Sequence, residues 1–122
     1  MLNFREELSK IKYNKLARVD LQERVDDILR IIIKYLEDEL SLEQLNSRVK
    51  VSFYLDESDD SRVISVSVKH SEQITYLSNE TFENKEDAVK TIGLLKRYFI
   101  EKDFRYFNDV SSKYAFAVLI NT

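Results

Sequence analysis

The stretch DLQERVDDILRIIIKYLEDEL, Asp20 to Leu40, carries apolar residues at Leu21, Val25, Ile28, Leu29, Ile32, Ile33, Leu36 and Leu40. Three- and four-residue steps are the period of one helical face, and at about 3.6 residues per turn the stretch makes a helix of about five to six turns. Ile31 and Tyr35 widen the apolar stripe to roughly half the circumference at about 100° per residue. The middle of this helix is therefore expected to touch more than one neighbour, and the remaining elements to pack around it.

On its N-terminal side Phe4, Leu8 and Ile11, with Leu16 and Val19, share a second face. Asn3 and Glu6 have the spacing of a capping box, so a helix is expected from Phe4 to Ala17. A turn at Arg18 and Val19 would let Asp20 cap the long helix, with Glu23 near the positive end of its dipole. No Gly or Pro separates the two, which leaves one continuous helix as the alternative. Met1 to Arg18 holds five bases against two acids, a net +3, whereas Val19 to Ser47 holds three bases against eight acids, a net −5. Opposite signs suit an antiparallel helical hairpin, or two surfaces with different partners.

On the C-terminal side Ser41 and Gln44 form another capping-box pair, predicting a short helical turn over Leu42 to Ser47. The period then changes to two: Val49, Val51, Phe53 and Leu55 alternate with Lys50, Ser52 and Tyr54, as in a strand with one buried face. Asp56 to Ser61 reads as a hairpin loop, and Arg62 to Lys69 resumes alternation with Ile64, Val66 and Val68 inward. A turn at His70 to Glu72 and a third strand at Gln73 to Leu77 complete a meander. Asn84 with Asp87 opens the next helix, running to about Lys102 with Ala88, Ile92, Leu95 and Phe99 on its face.

Phe104 to Asn108 reads as a short strand, Asp109 to Lys113 as a turn, and Tyr114 to Ile120 as a strand apolar at every position, hence buried on both faces. Ala115 and Ala117 share one side of it. That small-residue side is expected to meet the helix carrying Gly93, which sits mid-helix at a cost of about 1 kcal/mol relative to alanine. The order predicts an α+β fold: an antiparallel sheet of about four to five strands, with an N-terminal helical hairpin and one further long helix packed on it. All 122 residues are expected to form one domain, helical over 1–47 and sheet with one helix over 48–122.

Composition narrows the function classes. A hydrophobic share of 43% with 34% charged residues can bury a core and solvate a surface, which disfavours disorder. The absence of cysteine and the single histidine, His70, exclude thiolate and ordinary zinc sites. With Gly93 the only glycine and no proline, phosphate-cradling loops and nucleophile elbows lack the residue their backbone needs. Neither a signal peptide nor a membrane span is expected from the hydrophobic pattern, which points to the cytoplasm. No catalytic residue, cofactor or metal ligand emerges.

Several constellations have both a chemical and a plainer structural reading. The loop carboxylates Asp56, Glu57, Asp59 and Asp60 could suit a hard cation, yet the EF-hand glycine and terminal glutamate are missing, so a solvated hairpin loop is favoured. Glu83-Asn84-Lys85 falls at a helix start, where Glu favours the dipole and Asn caps. His70 between strands reads as a surface turn residue. Seven tyrosines and seven phenylalanines exceed what one small core needs, and tyrosine is enriched at interfaces.

The favoured function is therefore a small non-enzymatic protein-binding protein, an inhibitor or adaptor of the kind a phage or other mobile element carries. Its acidic residues Glu23, Asp27 and Asp38 and the Asp56, Glu57, Asp59 and Asp60 loop would meet a basic groove. Ile31, Tyr35 and Tyr54 would contact a protein partner or a second copy in a homodimer. The alternative is a nucleic-acid-binding module using the basic-aromatic segment around Lys96, Arg97, Lys102 and Arg105. A carboxylate-held metal enzyme ranks third.

Overall fold

A computed structural model describes residues 19–39, 48–108 and 111–120. The chain order is α1 (Val19–Glu39), β1 (Val49–Tyr54), β2 (Val63–His70), β3 (Gln73–Thr81), α2 (Lys85–Glu101), β4 (Arg105–Asn108) and β5 (Phe116–Leu119). The fold class is α+β. The expected helix over Phe4 to Ala17 and the short turn over Leu42 to Ser47 lie outside the described residues.

The periodic stretch folds as its pattern dictates. Leu21, Val25, Ile28, Leu29, Ile32 and Leu36 are buried along α1, while Ile31, Ile33 and Tyr35 are half-buried at its margin. Tyr35 reaches the sheet, its hydroxyl donating to Thr75 Oγ1 at 3.3 Å. At the other end of α1, Arg24 donates to the Thr81 carbonyl at 2.8 Å and pairs with Glu80 at 3.3 Å, its guanidinium 4.2 Å over the Phe82 ring. Asp20 lies inside the helix, because the helix already includes Val19. The position expected to cap α1 thus falls within the described helix rather than before it.

One antiparallel five-stranded sheet has the order β3-β2-β1-β5-β4. The last strand inserts between β1 and β4, paired on both edges, and all four of its positions are buried. That placement explains a run of apolar residues without alternation. The β1–β2–β3 meander forms as expected, with two adjustments. His70 ends β2 opposite Gln73, which shortens the turn to Ser71 and Glu72. β3 extends to Thr81 because a bulge beside Val66 and Ser67 resets its register, with Leu77 left over and packed against the core.

Both described helices contribute to one core on a single face of the sheet, against Val49, Val51, Phe53, Ile64, Val66, Val68, Phe116 and Val118. Phe53 stacks on Phe116 with ring centroids 4.8 Å apart and meets Phe99 of α2 at 5.7 Å, tying β1, β5 and α2 together. The N-cap of α2 is Asn84, whose side-chain oxygen accepts from the Asp87 amide at 2.8 Å. Ala88, Ile92, Leu95 and Phe99 are buried along its face. Gly93 is not the wall of a close contact: it is exposed, and a Cβ built there meets nothing within 4 Å. The helices occupy the Phe116 and Val118 side of β5, opposite the small residues, so the pairing of Gly93 with Ala115 and Ala117 does not occur.

Candidate functional site

In antiparallel pairs, residues directly opposite each other project to the same face. Tracing register partners away from the helices reads that face as transverse rows. One row crosses all five strands: Tyr76, Ser67, Ser52, Ala117 and Phe107. Its floor is small and its two ends are aromatic. The row beside it is Ile74, Lys69, Lys50, Leu119 and Arg105. On the other side lie Asn79, Ser65 and Tyr54, then Thr81 and Val63. None of these strand positions is a carboxylate, whereas the chain as a whole is acidic, with net charge −3.

Exposure is uneven across this face. Tyr76 is 78% exposed and Ile74 53%, and Tyr54, Val63 and Phe107 are also exposed. Ala117 and Leu119 are buried at 7% and 3% although neither described helix lies over them. The accessible area is therefore concentrated on β1, β2 and β3, with a second exposed margin on β4. Lys50 and Lys69 stand directly opposite one another in the β1–β2 register. Like charges so placed repel, and among the described residues neither has a carboxylate partner. Both line an open depression of ≈ 390 Å³ together with Arg48 and Ser71. Ser71 there adopts a left-handed backbone, φ 54°, a conformation a non-glycine residue adopts at some cost.

The residues singled out from sequence fall elsewhere. Glu23, Asp27, Ile31, Tyr35 and Asp38 follow one another at three- and four-residue steps along α1, so the helix does place them on one ridge. Glu23, Asp27 and Asp38 are exposed, and Asp27 pairs with Arg30 at 3.3 Å. Ile31, Tyr35 and Asp38 join Lys34 and Leu77 around a shallow groove of ≈ 260 Å³ between α1 and β3. Tyr54 points to the opposite face of the sheet and is not brought to that ridge.

The acidic loop is partly occupied with its own structure. Asp56 accepts from the Glu57 amide at 2.9 Å and from the Ser58 hydroxyl at 2.7 Å. The Ser58 hydrogen bond, then the Glu57 amide, hold its carboxyl below the usual value of 3.8. Glu57 accepts from the Lys113 amide at 2.8 Å, and Lys85 caps the Glu57 carbonyl at 2.7 Å. Asp59 and Asp60 are exposed. No group of three or more His, Cys, Asp or Glu among the described residues is placed to hold a metal ion.

The basic-aromatic segment is divided between surfaces. Lys96 donates to Asn108 Oδ1 at 2.6 Å and lies 5.2 Å from the Tyr106 ring, on the helix side of the sheet. Arg97 is exposed on α2, and Lys102 is the half-buried C-cap. Arg105 points to the face that neither described helix covers, 5.6 Å from the Phe107 ring. These four cations do not form one patch.

Protein-family models, curated proteins and solved structures offer no match to this chain. Sequence reasoning overlooked Lys50, Lys69 and Arg48, although the signal was present. The outward positions of both alternating strands, Lys50, Ser52 and Tyr54 against Ser65, Ser67 and Lys69, already lack any acid. No helix among the described residues is long and apolar enough to cross a membrane.

Proposed function

We propose that this chain is a small non-enzymatic binding protein of the cytoplasm that acts by occupying the surface of an anionic macromolecule, using the sheet face that neither described helix covers, at its exposed β1–β3 side. The observation that carries the reading is charge segregation. Lys50, Lys69 and Arg105 project from that face with no carboxylate among the strand positions beside them, in a chain of net charge −3. Two lysines held opposite each other are repulsive in the free protein, and an anion laid across them removes the repulsion. The non-enzymatic part rests on the composition, and the cytoplasmic part on a cysteine-free chain, which suits a reducing compartment.

Retention on a heparin column tests this. A protein of pI ≈ 5.3 has no general reason to bind a polyanion at neutral pH, so retention requires a local cationic surface. The wild type is expected to be retained and to elute with added salt. The double variant Lys50→Ser, Lys69→Ser is expected to pass through, and Asp59→Ser with Asp60→Ser to behave as wild type. Flow-through of the wild type, or equal retention of the lysine variant, would overturn the proposal.

A further inference from the structure

Resting on that reading, we infer that the anionic partner is single-stranded nucleic acid, lying across β1, β2 and β3 with bases against Tyr76 and Tyr54 and phosphates at Lys50, Lys69 and Arg48. Charge complementarity selects an anion, and the aromatic rings select which kind. Tyr76 projects from an edge strand with most of its surface in water, beside the half-buried hydroxyls of Ser67 and Ser52 in the same row. A flat floor of small polar residues with a free ring at its margin accepts the planar face of an unpaired base. A carboxylate-rich peptide would satisfy the lysines and leave that ring without a counterpart.

The spacing fits a nucleotide. The cationic row lies two residues along the strands from the row of Tyr76, about 7 Å at roughly 3.4 Å per residue, comparable to the separation of a base from its own phosphate, and Tyr54 stands two residues further on, at the place of a neighbouring base. Neighbouring lysines on β1 and β2 are one strand spacing apart, about 5 Å, so both can approach one phosphate group or two successive ones. Arg48 extends the cationic depression past the start of β1. A duplex hides its bases in the stack and offers only its backbone, so unpaired strands are favoured.

Fluorescence anisotropy with labelled 12-nucleotide mixed-sequence RNA and DNA, a hairpin duplex, and labelled poly-glutamate provides the test. The single strands are expected to bind best. Tyr76→Ala is expected to weaken them about 10-fold with the salt dependence unchanged, as loss of one stacked base would. Lys50→Ser and Lys69→Ser are expected each to lower the log–log salt slope by about 0.7, one phosphate contact on a single strand. These side chains are exposed, and circular dichroism establishes that each variant is folded. Poly-glutamate binding that depends on the lysines, without oligonucleotide binding, would overturn this inference and leave the proposed function standing. Equal binding of duplex, or an unchanged Tyr76→Ala affinity, would also overturn it. Loss of all binding, heparin included, would remove both.

Discussion

Lys50 faces Lys69 across the β1–β2 ladder, two ammonium groups on neighbouring strands with no carboxylate at the adjoining positions of that face. A pairing selected for stability alone would place opposite charges there. Lys69→Glu would convert repulsion into attraction, worth about 0.2–1 kcal/mol at an exposed cross-strand position. The variant is expected to melt a few degrees higher while losing retention on heparin. Opposite signs in the two measurements would distinguish a functional charge pair from an indifferent one. A variant that melts lower would contradict the argument.

Gly93 sits in the interior of α2, exposed, with open space where a Cβ would stand. Its cost to stability is entropic and arises in the unfolded chain, where glycine has more backbone freedom to lose than any other residue. Gly93→Ala is expected to stabilise by about 0.5–1 kcal/mol, read as a higher urea midpoint at constant slope. A lower midpoint would mean that the position is covered.

Asp103 closes the same helix. Its amide donates to the Ile100 carbonyl at 3.1 Å and the Phe104 amide to the Phe99 carbonyl at 2.9 Å, the paired hydrogen bonds of a Schellman termination. Phe104 folds back edge-on against Phe99, with centroids 5.4 Å apart. The geometry places Asp103 at φ 62°, where glycine is preferred. Asp103→Gly removes a left-handed cost of about 1–2 kcal/mol against glycine's own entropic cost of about 0.5–1 kcal/mol, so a net stabilisation is expected, and thermal melting checks it.

These terminations also show what the sequence conveys and what it withholds. Asn84 and Asp87 announce the start of α2 because the cap is a local hydrogen bond between residues three apart. The strands are legible for the same reason: alternation is a local pattern, and Val51, Phe53, Ile64 and Val66 could point only one way. Strand order is not local. That β5 would enter between β1 and β4, leaving Ala117 and Leu119 on the side away from both described helices, depends on which edge of β1 was left free. The Gly93 contact failed there, since its partner side of β5 faces away from the helices. Candidate acids on α1 were legible as a ridge, while the cationic face needed the register to set Lys50 against Lys69.

Asp56 anchors the β1–β2 loop as an anion. Held below 3.8 by the Ser58 hydroxyl and the Glu57 amide, its folded-state value lies under its unfolded one. The sign follows: its contribution is present above the unfolded value and lost as pH falls through the folded one. A proton-linked carbon titration is expected to place the Asp56 midpoint below 3.8, and Ser58→Ala to move it upward. A midpoint at or above 3.8 in the wild type would show that the turn does not hold in solution.

Two buried hydroxyls are expected to respond oppositely to removal. Ser112 is buried, donating to the Leu55 carbonyl at 2.6 Å and accepting from the Tyr114 amide at 3.2 Å, so it serves two backbone groups at the mouth of β5. Ser112→Ala leaves both without that partner and is expected to destabilise by about 1–3 kcal/mol. Thr91 on α2 is fully buried, and its Oγ1 has no hydrogen-bond partner among the described residues. Replacing that hydroxyl by a methyl group of similar size removes an unmet desolvation cost. Thr91→Val is expected to stabilise by about 1 kcal/mol, and urea unfolding of the two variants beside the wild type measures both shifts. If Thr91→Val instead lowers the midpoint as Ser112→Ala does, the Thr91 hydroxyl has a partner in solution and the packing around α2 differs from that described.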